Sequence, residues 1–149
     1  MERIAIQSLI DNMPLVEDFL SKFCDEHHIN NYFAIISVPV LQAVENAICH
    51  GNASDPNKTV TIVADNCKGG VAFTIEDQGR GFDYQKYVGS VMDEATGIFL
   101  MQSLSDSMEY SNGGRTLRLE FMINGIDGSD ALERISCLQH FYMTQSVVA

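Results

Sequence analysis

Val71-Ala72-Phe73-Thr74-Ile75-Glu76-Asp77-Gln78-Gly79-Arg80-Gly81-Phe82 is the stretch on which the fold turns. Val71, Phe73 and Ile75 alternate with Ala72, Thr74 and Glu76, the parity of a half-buried strand. Asp77 keeps the parity of the apolar set and so points to the buried face. A carboxylate there costs free energy unless a donor reaches it, either an amine such as the exocyclic amine of adenine or a backbone amide. Gly79 and Gly81 follow at once, where chain reversal and close approach of the backbone to a ligand favour residues without a Cβ. Taken alone, the segment is a strand ending in an Asp-x-Gly turn.

Upstream, Phe33 to His50 carries Ile35, Ile36, Val38, Leu41, Val44 and Ile48 at the spacing of a buried helical stripe. Gln42, Asn46 and His50 are four apart and stack on one side of that helix. Asn is a poor helix former, so Asn46 within a good helical pattern suggests that its side chain is needed. Its carbonyl oxygen is a hard ligand suited to Mg²⁺, which prefers oxygen and keeps several waters. A surface Asn beside a surface Gln is the plainer alternative.

Downstream, Thr96-Gly97-Ile98-Phe99-Leu100-Met101-Gln102-Ser103-Leu104 reads as a glycine entering an apolar helix, followed by a strand from Ser107 to Tyr110. Such a helix start offers free N–H groups and a positive dipole end to phosphate. Asn112-Gly113-Gly114-Arg115-Thr116-Leu117-Arg118-Leu119-Glu120-Phe121 is a turn followed by an alternating strand. Four elements in this order, over about Phe33 to Phe121, are far more specific than any one of them.

Together they resemble the N box and glycine boxes of the Bergerat-fold ATPases, the superfamily of gyrase and the histidine kinases. Within it the chain looks most like the small anti-sigma factor serine kinases of bacterial partner-switching systems. Asn46, Ala47, His50 and Gly51 match their N box; Asp77, Gly79, Gly81 and Phe82 match the purine-reading turn; Gly97, Leu100 and Met101 match the helix after the lid. The resemblance implies ATP and Mg²⁺ as cofactors, with Asn46 as the metal ligand. It implies nucleotide contacts from His50, Asp77, Gly79, Gly81, Phe82, Thr96, Gly97, Ile98, Arg115 and Thr116. It also implies a protein partner, a sigma factor or an anti-sigma antagonist.

Two positions depart from that pattern. The family commonly has Glu four residues before the N-box Asn as general base; here Gln42 stands there, and an amide cannot take up a proton at neutral pH. Glu45 lies about 100° round the helix from Asn46, so it is not a simple substitute, yet with Gln42 it is a candidate catalytic residue and the first alternative source of the base. Arg115 stands where the family usually has a Thr reaching the nucleotide, and Thr116 next to it falls on the opposite strand face.

The expected fold is an α/β sandwich, with helices on one face of a mixed sheet and the nucleotide between them. A first strand is expected near Arg3 to Leu9. A helix capped by Asp11 or Asn12 then runs to His27, carrying Leu15, Phe19, Leu20 and Phe23. A strand over Thr59 to Ala64 and a connection over Asp65 to Gly70 lead into the strand ending at Asp77. Residues Asp83 to Ala95 would form the lid. The ATPase domain spans 1–124 and a C-terminal helical extension 125–149, which could serve as a homodimer contact, a partner contact or a cover for the sheet.

The 149 residues leave room for one domain and little else, too few for a sensor kinase with its phosphoacceptor hairpin and input domain. Nine basic against 20 acidic residues give a net charge of −11, which argues against nucleic acid and towards basic partner surfaces. Four cysteines without a Cys-x-x-Cys pair or zinc spacing read as reduced thiols in a cytoplasmic protein. No run is expected to approach a membrane span, and the N-terminus lacks a signal peptide's layout. Three readings remain open: a serine/threonine kinase that also sequesters its partner, a nucleotide-binding interaction module without catalysis, and a former ATPase that binds only protein. An ATP-binding partner-switch regulator leads.

Overall fold

The structure is a computed structural model, and it describes residues 1–82 and 97–123. The element order is β1 (Glu2–Gln7), α1 (Met13–Glu26), α2 (Phe33–Asn46), β2 (Thr59–Cys67), β3 (Gly70–Glu76), α3 (Gly97–Leu104), β4 (Ser107–Ser111) and β5 (Thr116–Met122). The five strands form one sheet in the order β1-β2-β3-β5-β4. The expected lid, Thr96 and the expected C-terminal helix lie outside the described residues.

Helices pack on the sheet as expected, but each of the pairings β1–β2, β2–β3, β3–β5 and β4–β5 is antiparallel, so the described sheet is not mixed. The reason is connectivity: β2 and β3 are joined by the short turn at Lys68 and Gly69, and α3 brings the chain to the sheet edge, from which β4 turns back into β5. β2 also runs three residues past its expected end at Ala64, because Asp65, Asn66 and Cys67 keep their ladder partners Ala72, Val71 and Gly70.

Strand parity sets the core. Phe73 in β3 and Phe121 in β5 point to the helical face, their ring centroids 5.9 Å apart, and Phe23 of α1 meets Phe73 edge-on at 5.3 Å. Val16, Leu20, Phe23 and Cys24 form the buried stripe of α1. Leu15, expected on that stripe, is instead 52% exposed, since it lies about 100° round the helix from Val16. Asn12 does not cap α1 through its side chain; it has helical dihedrals, and its Nδ2 donates to the Gln7 carbonyl at 3.1 Å.

α2 is the central helix. By length and composition the run Asn30–Gly51 could cross a membrane, contrary to the sequence expectation. In the fold its Ile35, Ile36, Val40 and Val44 are fully buried between α1 and the sheet. Val38 turns the other way, against Leu100 and Leu104 of α3. Past Asn46 the helix widens into a π turn over Ala47–Gly51, closed by the Asn52 N–H on the Ala47 carbonyl at 2.8 Å.

Candidate nucleotide site

Register builds the floor of a cavity between the sheet and α2. Ile75 pairs with Leu117, and Leu117 pairs with Tyr110, so the three side chains form one row across β3, β5 and β4. A residue beyond each strand end, Asp77 and Arg115 keep the parity of Ile75 and Leu117, and the Asp77 N–H donates to the Arg115 carbonyl at 2.9 Å. The roof is a helical stripe: Ala43, Asn46, Ala47 and His50 at spacings of three and four. Gly51, Gly81, Phe82, Ile98 and Gly114 complete the described lining of a cavity of about 300 Å³. Such a space, mainly apolar with a few converging polar groups, is what a small-molecule site needs.

At one end Asp77 is fitted tightly. Its Oδ1 accepts from the Gly79 N–H at 2.9 Å. A Cβ on Gly51 would fall on the Asp77 carboxylate, and one on Gly79 would fall on the Gly51 carbonyl, which is why both positions are glycine. Burial pushes the Asp77 carboxyl above the usual carboxylate range, while the Gly79 N–H and the Arg115 charge oppose that rise. The carboxylate therefore stands in a partly desolvated slot with capacity for a further donor. The turn that follows is strapped to the β4–β5 connection by the Phe82 N–H on the Gly113 carbonyl at 2.9 Å. The Phe82 ring meets Tyr110 edge-on at 5.2 Å, and burial raises the Tyr110 phenol to about 12.

On the roof, Gln42 Nε2 donates to Asn46 Oδ1 at 3.1 Å, the contact their spacing predicts. Gly97 opens α3 directly against Gln42; a Cβ there would lie 2.8 Å from its amide. Asn46 and Ile98 line the cavity, whereas Gln42 stands beside it. Glu45 is exposed and outside the lining. Thr116 faces away, its Oγ1 accepting from Asn112 Nδ2 at 2.9 Å, while Arg115 is in the wall. Gly79 supports Asp77 from behind and does not line the cavity itself. No group of three or more His, Cys, Asp or Glu able to hold a metal occurs among the described residues. A magnesium ion here would therefore depend on Asn46 Oδ1, phosphate and water, a donor set that suits it.

Sequence reasoning missed the floor residues Leu117 and Tyr110, which only sheet register brings beside Ile75. It also gave no role to Asn52, which is fully buried. Asn52 Nδ2 donates to Ser8 Oγ at 2.8 Å and to the Thr59 carbonyl at 3.0 Å, and its Oδ1 accepts from the Gln78 N–H at 2.7 Å. A lone Asn after a glycine carries no local signal of this.

A family model described as a histidine kinase-like ATPase domain matches residues 6–121. Among curated proteins the chain is similar to anti-sigma F factors of Clostridium perfringens strains SM101, ATCC 13124 and 13, each 33% identical over 82 residues. The match covers 50% of this chain and 59% of each relative, so the chain spans little more than half the length of the relatives it matches.

Proposed function

This chain belongs to the histidine kinase-like ATPase family, and on that premise we propose that it is an ATP-binding regulator of the anti-sigma type that sequesters a protein partner. The observation that carries the reading is the Asp77 carboxylate, seated between Gly51 and Gly79 at the end of an apolar cavity roofed by Asn46. In this reading Asp77 accepts from the exocyclic amine of adenine, and Ile75, Leu117, Tyr110 and Phe82 flank the purine. Asn46 Oδ1 would hold Mg²⁺ beside the phosphates, where the ion supplies charge neutralisation. Gly97 and Ile98 present the start of α3 to the same region. The partner is a sigma factor or an anti-sigma antagonist with a basic face, met by a chain of net charge −11 in the cytoplasm.

Phosphoryl transfer to a partner serine belongs to the same reading, as a slow reaction. Gln42 has no atom that can take the attacking hydroxyl's proton, and its amide is already committed to Asn46. Loss of general-base help costs about 10²–10⁴-fold, while positioning and charge neutralisation remain. The same contact favours a second reading, a nucleotide-binding module without catalysis. Calorimetric titration with a nonhydrolysable ATP analogue and Mg²⁺ tests the primary claim. Saturable binding is expected, and no binding at about millimolar nucleotide, about the weakest affinity that counts as specific, would leave a protein-binding domain only.

A further inference from the structure

Gly51 and Asp77 touch through a gap that admits no Cβ, yet they come from different elements, the end of the π turn and the end of β3. Something must hold the two in register. The next residue after each supplies it: Asn52 follows Gly51, Gln78 follows Asp77, and the Gln78 N–H donates to Asn52 Oδ1 at 2.7 Å. The amide is anchored at its other end, with both Nδ2 hydrogens used on Ser8 Oγ and the Thr59 carbonyl. Ser8 Oγ in turn donates to the Lys58 carbonyl at 2.8 Å, and Gln78 Oε1 accepts from the Thr59 N–H at 2.8 Å. Asn52 and Ser8 are both fully buried, so water does not compete for the bond between them, while the bonds to Gln78 lie nearer the surface.

We infer that Asn52 is a positioning residue for the base-reading carboxylate, fixing Asp77 against Gly51 from the side remote from the cavity. The inference rests on the reading of Asp77 given above. Asn52 does not line the cavity and touches no ligand. Its effect passes through the backbone at Gln78, one bond from Asp77. Only an amide meets the demand: an Asp side chain would set a carboxylate oxygen against the Thr59 carbonyl, and Ala would leave the Gln78 N–H and the Thr59 carbonyl without this partner.

The test is a base-selectivity measurement on the full chain, in Mg²⁺, with adenosine diphosphate and with purine riboside diphosphate, which lacks the exocyclic amine. The wild type is expected to prefer the adenine nucleotide by about tenfold or more, the worth of one hydrogen bond to a charged acceptor. Asn52→Ala should bring the ratio close to one while affinity for the amine-free nucleotide changes little. A purely structural role would weaken both nucleotides alike, as the remote core change Val16→Ala in α1 should. Should Asn52→Ala not fold, Ser8→Ala removes one anchor of the amide, and an intermediate ratio is expected. A wild-type ratio retained in Asn52→Ala, or in Ser8→Ala as its substitute, overturns the positioning role alone. A wild type that binds both nucleotides equally overturns the reading of Asp77 as well.

Discussion

Asp77→Asn should separate ligand recognition from folding, because the substitution keeps an acceptor for the Gly79 N–H and removes only the charge. In the free protein the Asp77 carboxyl is raised by burial. A carboxyl raised in the folded state adds stability that is present below its unfolded pKa and is lost as pH rises through the folded one. Asn never ionises, so the variant is not penalised at neutral pH and its unfolding midpoint should move by no more than a few degrees. Binding runs the other way. An amine donor needs the ionised carboxylate, so wild-type affinity should fall as pH is lowered into the range where the raised Asp77 carboxyl takes up its proton, while the free protein gains stability from this group. A hydrogen bond to a charged acceptor is worth about 1.5–3 kcal/mol, so Asp77→Asn should weaken adenine nucleotide at neutral pH by about 10- to 150-fold. Its affinity should also be flat across that pH range. Calorimetry at several pH values, alongside thermal melts of the free proteins, reads both slopes. Equal pH dependence in wild type and variant, or unchanged affinity, would refute the assignment of Asp77 to the base.

Gln42→Glu places a titratable oxygen next to Asn46, and phosphorylation of the cognate partner should rise by up to about 10²–10⁴-fold in a radiolabel transfer assay; an unchanged or lower rate would mean that another group handles the proton. Gly51→Ala drives a methyl into the Asp77 carboxylate and should abolish nucleotide binding and lower the melting temperature. Gly113→Ala, whose site is open but has φ of +69°, should cost only about 1 kcal/mol and leave binding intact; similar losses in the two would show that crowding at Asp77 is irrelevant. Phe73→Ala removes the ring that meets both Phe23 and Phe121 and should cost about 3–5 kcal/mol in denaturant unfolding, with a value under about 1 kcal/mol contradicting the core described here.

Periodicity exposed what is local. The strand ending at Asp77, the helix carrying Gln42, Asn46 and His50, and the glycine opening α3 follow from spacing within one element, and each side chain lies where parity puts it. Thr116 and Arg115 separate onto opposite faces for the same reason. What escaped is set between elements. The antiparallel sheet depends on how β3 finds β5 across an intervening helix and strand, and the row Ile75, Leu117, Tyr110 exists only once that register is made. Leu15 was misplaced because Val16, not Leu15, lies on the stripe with Leu20, Phe23 and Cys24, a choice made by packing and not by the apolar count. Asn52 was unreadable because burial of a polar residue depends on partners from three separate segments, Ser8, Thr59 and Gln78.

The π turn at the end of α2 works as a phase adjuster. Along a regular α-helix, residues five apart point about 140° away from each other, at about 100° per residue. Asn46 and Gly51 are such a pair, yet both face the cavity, because the wider loop closed from Asn52 to Ala47 takes one more residue into the turn. One helix thereby offers an oxygen ligand at Asn46 and, a wide turn later, a bare backbone surface on which a carboxylate from the sheet can rest. A regular α-helical pitch over the same residues would swing Gly51 off Asp77 while leaving Asn46 in place, uncoupling the phosphate end of the site from the base end without altering a side chain in either.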